Sequence, residues 1–375
     1  MKNEEFQKLL FNTMISSKDK NDEIACKLKA IGGWIIENIP NKLYRYRRFD
    51  ENGNNLNAFK EDEIWGSSIS TFNDPFECVP WYDDKKILET LLEEFNNLNK
   101  IMTPWQMAQT GMLKDSLAEM FTEEDSRMLE RRLQGVDAKA YYNACIDDFE
   151  NYFLKNYVEF KNDIDNEFYI NILKVESLRH VACFSEKNDS SLMWGHYANS
   201  HTGFCIEYNF AEELKWCKTQ CDNLMACKSF MLNYPIAPVI YSDTRFEATG
   251  YMQVILQDYA SKKIGYPIKE FYYPDVLTIT KSILTKSKDW SYEKEWRLVS
   301  EIEQGDFKLH KMIAKLKPKA VYIGAKTSKD NADKLYQMCQ DKNIGCYKMI
   351  QSFSNEKFDL QPINYKEFLY NGLIN

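Results

Sequence analysis

The chain has 375 residues and carries 48 basic and 56 acidic side chains, which gives a net charge of −8 at pH 7. An acidic balance disfavours non-specific binding to nucleic acid, because affinity for phosphate depends mainly on Lys and Arg. With 8 Trp, 23 Tyr and 22 Phe, the chain has enough large apolar side chains for a packed core, which excludes a disordered protein.

No apolar run reaches the roughly 18–20 residues that a membrane span needs. The acidic start, MKNEEFQKLLF, does not have the pattern of a signal peptide. Ten cysteines are spread between Cys26 and Cys346 without the dense spacing of a disulfide scaffold. We therefore expect a cytoplasmic protein with reduced thiols and no membrane association.

The first 38 residues are predicted to form a separate helical segment, since apolar residues recur at three- and four-residue steps from Phe6 to Ile35. Residues 41–49, NKLYRYRRF, alternate in the manner of a strand. The alternation predicts one face with Leu43, Arg45 and Arg47 and another with Tyr44, Tyr46 and Arg48. A second short strand is predicted at 63–68.

The segment FNDPFE at 72–77 has the composition of a tight turn, because Asn and Asp side chains bond nearby backbone donors and Pro fixes φ. From about residue 85 to about residue 175, Leu, Met, Glu, Lys and Gln dominate and the apolar residues take helical spacing. This stretch is predicted to be a helical insertion in a mixed α/β domain that spans 39–350.

Patterns typical of a sheet return after the insertion. Strands are predicted at 178–185, 203–208, 238–242 and 295–301, and helices at 190–198, in the first part of 210–235, at 250–263 and at 275–287. Strands at 320–324 and 345–350 around a helix at 331–341 predict a β-α-β crossover with a parallel pair, followed by a tail at 351–375. The predicted fold class is α+β, with a central mixed sheet, a helical insertion and a C-terminal β-α-β unit.

The standard signatures of nucleotide and metal sites are missing. The chain has no G-x-G-x-x-G motif, and GAKT at 324–327 is interpreted as a strand-to-helix connection because an Ala separates Gly from Lys. Cys217, Cys221 and Cys227 lie close together, but their gaps do not match a zinc ribbon or finger. No metal site is predicted.

Four short polar segments are candidates for function. The strand segment at 44–48 carries three guanidinium groups, which suit bidentate contact with phosphate or carboxylate; an edge strand with solvated arginines is the alternative. The turn at 73–77 brings the carboxylates of Asp74 and Glu77 together, and a well-capped turn without further function is the alternative.

The third segment runs from CFSE at 183–186 to His201 and holds two of the four histidines. Trp194 and Tyr197 are three residues apart on a predicted helix, so they share a face that His196 does not share. This cluster of rings suits a platform for a flat base, and a packed aromatic core explains it equally well.

The fourth segment is WSYEKEWR at 290–297, in which Glu293 and Glu295 are separated by one residue. In an extended chain residues i and i+2 point the same way, so both carboxylates are predicted to face one cleft. A solvated Glu-Lys-Glu stretch is the alternative, although the flanking tryptophans, Trp290 and Trp296, disfavour full solvation.

Taken in chain order, the motifs LYRYR, FNDPFE, CFSE with LMWGHYA and HTGFCIEY, WSYEKEWRLV and VYIGAKTS resemble a large bacterial family catalogued as a domain of unknown function. The resemblance runs from about Leu43 to Ile350, with the helical insertion as a variable part. Members of that family resemble accessory proteins of bacterial defence systems or mobile elements. The resemblance therefore implies kinship and a setting, but no reaction.

The chain also resembles the ADP-ribosyltransferases at the level of the fold. In that family an Arg on an early strand anchors the phosphates of NAD, an aromatic ring stacks on the nicotinamide, and a late Glu holds a ribose hydroxyl. The resemblance implies that Arg45 or Arg47 binds the NAD phosphates and that Glu295, with Glu293 as its partner, is the catalytic carboxylate. It also implies a nicotinamide pocket lined by Ser185, Trp194 or Tyr197. His196, which lies next to Tyr197 in the sequence, is a further candidate catalytic residue.

A site of this kind fits the chemistry of NAD. Cleavage of nicotinamide from ribose passes through an oxocarbenium-like state, and a fixed carboxylate stabilises the positive charge that develops on the sugar. The first prediction is therefore an NAD-using enzyme that cleaves or transfers ADP-ribose in a defence or mobile-element system, with NAD as co-substrate.

Two other functions are left open by the sequence. A metal-dependent nuclease or phosphoesterase would use Asp74, Glu77 and a late Glu as oxygen ligands, with His196 or His201. A non-catalytic sensor or binding module would contact a protein partner through the helical insertion.

Overall fold

The computed structural model describes residues 2–87, 89, 98–148, 157–177, 179–214, 236–264, 273–301, 310–351, 356, 358 and 360–370. The helices are α1 (Lys2–Asn12), α2 (Asn21–Asn38), α3 (Asn54–Lys60), α4 (Leu98–Gln109), α5 (Leu113–Ser116), α6 (Glu123–Gln134), α7 (Ala138–Asp148), α8 (Tyr157–Ser177), α9 (Ser191–Tyr197), α10 (Thr249–Ile264), α11 (Thr278–Ile283), α12 (Lys329–Lys342) and α13 (Tyr365–Tyr370). The strands are β1 (Leu43–Arg47), β2 (Glu63–Ser68), β3 (Arg179–Ser185), β4 (Phe204–Tyr208), β5 (Ile236–Pro238), β6 (Ile240–Ser242), β7 (Thr285–Ser287), β8 (Glu295–Glu301), β9 (His310–Lys315), β10 (Ala320–Ile323), β11 (Gly345–Gln351) and β12 (Leu360–Asn364).

The described strands form a ten-stranded mixed sheet in the order β12-β11-β10-β4-β1-β3-β2-β9, with β8 beside β3 and β5 beside β8. Within this sheet β10 and β11 pair in parallel, and the other described pairs are antiparallel. Strands β6 and β7 form a separate parallel pair. The predicted α+β class with a mixed sheet is confirmed.

The alternation predicted for β1 divides its side chains between the two faces of the sheet. Leu43 points into the larger core, which the N-terminal helices also enter through Phe6 and Ile35. Tyr44 and Tyr46 point into a second core on the opposite face, together with Trp194, Cys205 and Tyr322. The first 38 residues therefore pack on the same core as the sheet, because their apolar stripe has a partner there.

The helical insertion lies between β2 and β3, as predicted, and its described helices are α4 to α8. Its last helix packs on α10 through buried apolar side chains, Ile164, Phe168, Ile172, Met252 and Ile255. No helix in the described part of the chain is long and apolar enough to cross a membrane. The cysteine-containing stretch at 215–235 lies outside the described residues.

The segment at 275–287 is not the long helix that the pattern predicts. Helix α11 ends at Ile283, and β7 follows at Thr285–Ser287. The sequence TITKSILTKS is rich in β-branched residues, whose stiff side chains favour extended backbone once a strand partner is present. That partner is β6, which pairs Ile240 with Thr285.

The C-terminal β-α-β unit is present as β10, α12 and β11. Gly324 follows β10, and a Cβ at this position would lie 2.3 Å from the carbonyl oxygen of His201, so this connection requires glycine. The segment predicted as a tail adds β12 to the edge of β11 and continues into α13.

Candidate active site

Five charged side chains meet in one buried cluster near the start of β8. It consists of Glu77, Lys286, Glu293, Glu295 and Arg297, and we call it the charge cluster. The amine of Lys286 lies 2.6 Å from a carboxylate oxygen of Glu293 and 3.1 Å from one of Glu295. It also lies 3.3 Å from Glu77. Arg297 donates from Nε to Glu295 at 2.8 Å and from a terminal nitrogen to Glu77.

The charge cluster joins segments that are far apart in the sequence. Glu77 comes from the turn after β2, where the Phe76 amide donates to the Asp74 carboxylate at 2.9 Å and the Glu77 amide donates to the Asp74 carbonyl at 3.1 Å. The FNDPFE motif is thus the turn that its composition predicts. Lys286 comes from β7, and the remaining three groups come from β8 and the residues just before it.

Glu293 and Glu295 face the same cation, although the backbone between them is not extended. Glu293 ends a 3₁₀ helix, and Lys294 has a φ of 47°, in the left-handed region. A non-glycine residue there costs roughly 1–2 kcal/mol. The turn brings both carboxylates to Lys286 and leaves the Lys294 side chain exposed, so the ion pairs offset the backbone strain.

The charge cluster contains three carboxyl groups and two cations, so its net charge is zero when one carboxyl group is protonated. Burial and the negative charge of Glu295 raise the pKa of Glu293 to about 7, although Lys286 opposes this shift. Burial acts in the same direction on Glu295, but Arg297 and Lys286 outweigh it and hold the pKa of Glu295 below its usual value. Glu293 is therefore a group of the cluster that exchanges a proton near neutral pH.

The two cations of the cluster keep their charge. Burial alone lowers the pKa of Lys286, but Glu295 and the other carboxylates of the cluster outweigh it and raise that pKa above its usual value. Burial also opposes the charge of Arg297, and Glu295 and Glu77 again outweigh it, so the pKa of Arg297 is raised. Lys286 and Arg297 thus act as fixed positive charges among the glutamates.

An aromatic rim lies beside the charge cluster. It consists of His196, Tyr197, Trp290 and Tyr292. The Tyr197 hydroxyl donates to the Glu293 carboxylate, and the Lys286 amine lies 5.0 Å from the centre of the Trp290 ring. The exposed ring of His196 has its centre 6.4 Å from those of both Trp290 and Tyr292. Such a set of rings offers flat faces to a ligand that carries a planar ring.

Cys183, whose side chain is exposed, lies beside the charge cluster on β3. Strand β1 pairs with β3 at Ser185, and β2 pairs with β3 at Val181. Cys183 lies between these two positions, where neither β1 nor β2 pairs with β3. Cys183 faces Arg297 across the β3–β8 ladder, in which the next residue of that face, Ser185, pairs with Glu295. The surrounding protein and the charge of Glu295 raise the pKa of this thiol, so it remains neutral.

A cleft of about 410 Å³ opens next to Lys286. Its walls come from the turn after β2 and from the connection between β6 and α10, and include Phe76, Trp81, Arg245 and Phe246. Asp74 also lines the cleft, and its carboxylate accepts a hydrogen bond from Trp290 Nε1 at 2.9 Å. The wall of the cleft is therefore tied to the aromatic rim.

The sheet separates Arg45 from the charge cluster. Tyr44 pairs with Ser185, and Ser185 pairs with Glu295, so these three side chains share one face and Arg45 lies on the other. The expectation that Arg45 and Glu295 line one pocket does not agree with this geometry. Arg45 is 4% exposed, lies 5.6 Å from the centre of the Phe184 ring and donates to the Trp65 carbonyl.

Arg47 shares the face of Arg45, two residues further along β1, and is half-buried. The sheet therefore separates it, too, from the glutamates of the charge cluster.

Of the candidates between residues 183 and 201, two support the site from below the surface and two belong to the aromatic rim. Trp194 is fully buried, packs edge-on against Tyr46 and donates from Nε1 to the Asn188 carbonyl at 2.7 Å, so it belongs to the core. Ser185 Oγ donates to the backbone carbonyl of Glu293 at 2.5 Å and thereby positions that residue. Tyr197 and His196 reach the aromatic rim.

Sequence reasoning missed Lys286 and Arg297. Arg297 follows Glu295 by two residues on β8, so the period of a strand was an available signal for it. Lys286 had no such signal, because its segment has the pattern of a helix. Glu77 was identified only as a candidate metal ligand, whereas the structure pairs it with cations.

Among the residues that the structure describes, no group of three or more His, Cys, Asp or Glu side chains is placed to hold a metal ion. Glu77 does lie near the two later glutamates, but Lys286 and Arg297 link the three carboxylates. The ligand set expected for a nuclease or phosphoesterase is therefore not assembled in this part of the molecule.

Residues 193–298 match the model of a family described as a protein of unknown function, DUF2971. The matched stretch begins in α9 and ends in β8, so it contains the aromatic rim and four members of the charge cluster, Lys286, Glu293, Glu295 and Arg297. The resemblance to an uncharacterised family is confirmed over this stretch. No curated protein and no solved structure matches the chain.

Proposed function

We propose that the protein is an NAD-using enzyme that cleaves or transfers the ADP-ribosyl group, with Glu293 as the reacting carboxylate. The observation that carries the proposal is the placement of this buried carboxyl group between Tyr197 and Lys286, beside the aromatic rim. Acid–base sites typically combine a titratable group of this kind with a surface that binds the substrate.

The proposed reaction breaks the bond between nicotinamide and C1 of its ribose, and the electron pair leaves with the ring nitrogen. Water or an acceptor hydroxyl forms the new bond to C1 and loses a proton. Ionised Glu293 takes that proton as the general base, and its negative charge stabilises the positive charge on the ribose. A pKa near 7 suits a base that works at neutral pH.

The proposal exchanges the roles that the sequence assigned to the two glutamates. Both carboxylate oxygens of Glu295 are engaged by Arg297 or Lys286, so Glu295 holds these cations in place. Among the described residues, each carboxylate oxygen of Glu293 accepts one side-chain hydrogen bond, from Tyr197 or from Lys286, and its pKa is raised to about 7. In the proposal, Tyr197 is a positioning residue for Glu293, and Ser185 positions the backbone.

In this proposal the aromatic rim binds the nicotinamide ring. Its ring of His196 is exposed and its ring of Tyr292 is half-buried, so both can contact a ligand. NAD is an intracellular coenzyme, so the proposal places the enzyme in the cytoplasm. Depletion of NAD would stop the growth of the host cell, which fits the expected setting in a bacterial defence or mobile-element system.

Release of nicotinamide from NAD by the purified full chain tests the proposal. We expect Glu293→Gln to lower the rate by about 100-fold or more, because an amide cannot accept the proton. The matched control is Glu186→Gln, since Glu186 is exposed and bonds only to Trp296 Nε1 among described side chains. This control should keep the wild-type rate.

Two results would overturn the proposal: a wild-type chain that releases no nicotinamide from NAD, or a folded Glu293→Gln variant with an unchanged rate. The melting temperature of both variants shows whether they are folded. A rate that rises with pH through about 7 in the wild type supports the assignment of the base.

A further inference from the structure

The cleft beside Lys286 combines an exposed aromatic ring with an exposed guanidinium. Phe76 is 65% exposed at the tip of the turn after β2, where the Asp74 carboxylate fixes its backbone. The guanidinium of Arg245 lies 5.7 Å from the centre of the Phe76 ring. Water solvates an exposed Phe poorly, so a ligand that covers this ring gains free energy from its burial.

Arg245 forms no ion pair with any carboxylate in the described part of the chain. The neighbouring carboxylate, Asp243, is already paired with Lys288. The backbone of Arg245 is held by Trp81, whose Nε1 donates to the Arg245 carbonyl at 3.1 Å. The backbone of Arg245 is therefore fixed in the wall of the cleft, and the planar fork of its exposed guanidinium suits the oxygens of a phosphate.

The cleft is large enough for a small ligand and leads to the charge cluster. Its volume of about 410 Å³ lies within the range of typical small-molecule sites. Three aromatic side chains, Phe76, Trp81 and Phe246, contribute to its walls. Lys286 lines its inner part and bonds directly to Glu293. A ligand in the cleft can therefore contact Lys286, which in turn contacts the reacting carboxylate of Glu293.

We propose that this cleft binds a nucleoside diphosphate group, with Arg245 pairing with the phosphates and Phe76 contacting the base. The inference rests on the proposed function in one respect, namely that the bound group is the ADP part of NAD. It also supplies the phosphate anchor that Arg45 cannot provide from the opposite face of the sheet.

Binding of ADP to the purified full chain, measured by titration calorimetry, tests the inference without any turnover. We expect Arg245→Gln to weaken ADP binding roughly 10- to 100-fold, the loss expected for hydrogen bonds to a charged group. The matched control is Arg127→Gln, since Arg127 is an exposed Arg on α6 in the helical insertion. Adenosine should bind the wild type more weakly than ADP by a similar factor.

Phe76→Leu gives a second, independent measurement, because an exposed side chain can be changed with little effect on folding. It should weaken both ADP and adenosine, whereas Arg245→Gln should weaken ADP alone. Equal affinity of ADP for wild type and Arg245→Gln, or equal affinity of adenosine and ADP for the wild type, overturns the inference.

The outcome is separable from that of the proposed function. ADP binding that depends on Arg245, without release of nicotinamide from NAD, leaves the cleft assignment standing and rejects the reaction. If release of nicotinamide depends on Glu293 but Arg245→Gln does not affect ADP binding, the proposed reaction stands and the assignment of the cleft is rejected.

Discussion

Arg45 of β1 and Arg297 of β8 lie on the two strands that flank β3, and both are buried but have opposite surroundings. Arg297 lies on the face of the charge cluster and contacts Glu77 and Glu295. Arg45 lies on the other face, over the Phe184 ring and against the Trp65 carbonyl, and its Nε has no hydrogen-bond partner within the described residues. One face of the sheet thus neutralises a buried guanidinium with carboxylates, whereas on the other face the guanidinium contacts a ring and a carbonyl, neither of which carries a net charge.

The difference between the two faces shows where chemistry is concentrated. On the charged face, burial and the negative charge of Glu295 raise the pKa of Glu293, whereas Arg297 and Lys286 lower the pKa of Glu295. The face of Arg45 has no described carboxylate near this guanidinium and presents an apolar core instead. A burial pattern alone would not distinguish these arginines, since both side chains are almost inaccessible to solvent.

The largest expected effect is on the charged face. Arg297→Met leaves Glu77 and Glu295 buried beside a single cation, so we expect the free energy of unfolding to fall by about 3–5 kcal/mol. Arg45→Met removes a ring contact and one hydrogen bond, and should cost only about 1 kcal/mol. Urea denaturation of both variants measures the comparison, and equal losses would contradict it.

The next effect is a dependence of stability on pH. The pKa of Glu293 is raised from 4.5 to about 7 in the folded chain, so the folded state binds this proton more tightly than the unfolded state. Its contribution to stability is therefore fully present below about pH 4.5 and is lost as the pH rises through about 7. At 1.36 kcal/mol per pKa unit, the loss is at most about 3 kcal/mol.

Glu293→Gln should abolish this fall in stability between pH 4.5 and pH 7, because the amide does not titrate in this range. Glu186→Gln should retain it. Chemical denaturation of the three proteins at pH 5, 6, 7 and 8 gives the slopes. A variant Glu293→Gln with the wild-type slope would show that another group carries the proton.

The smallest expected effect concerns Tyr197, whose hydroxyl bonds to Glu293 and lowers the pKa of that carboxyl group. Tyr197→Phe should cost about 1 kcal/mol of stability and move the pH midpoint of nicotinamide release upward. Tyr46→Phe is the matched control, since the Tyr46 hydroxyl donates to the Lys187 carbonyl at 2.8 Å and does not touch the glutamates. A midpoint that moves equally in both variants would reject the positioning role of Tyr197.

The sequence was sufficient for features that depend on local pattern. The alternation of β1, the turn at FNDPFE, the strand at 295–301 and the parallel β10–β11 unit all follow from periodicity or turn chemistry, and the structure contains each of them. These features need no information about distant partners, since the preferences of a few adjacent residues decide them.

The arrangement of the site depended on pairing between distant segments. The period of β1 predicts that Arg45 and Tyr44 point to opposite faces, but only the register with β3 and β8 decides which of them shares a face with Glu295. For the same reason Lys286 was missed, because it becomes part of a strand only when β6 is available as a partner. Local pattern carries neither kind of information.

The position of the helical insertion has a consequence for the order of folding. Ser68 at the end of β2 pairs with His180 in β3, so the whole insertion forms a loop between two neighbouring positions in the sheet. Closing so long a loop costs chain entropy before the strand contacts compensate for it, whereas the helices within the loop depend on nearby residues. Because Glu77 precedes these helices and Lys286 and Arg297 follow them, the ion pairs of Glu77 with these two cations form only after this closure.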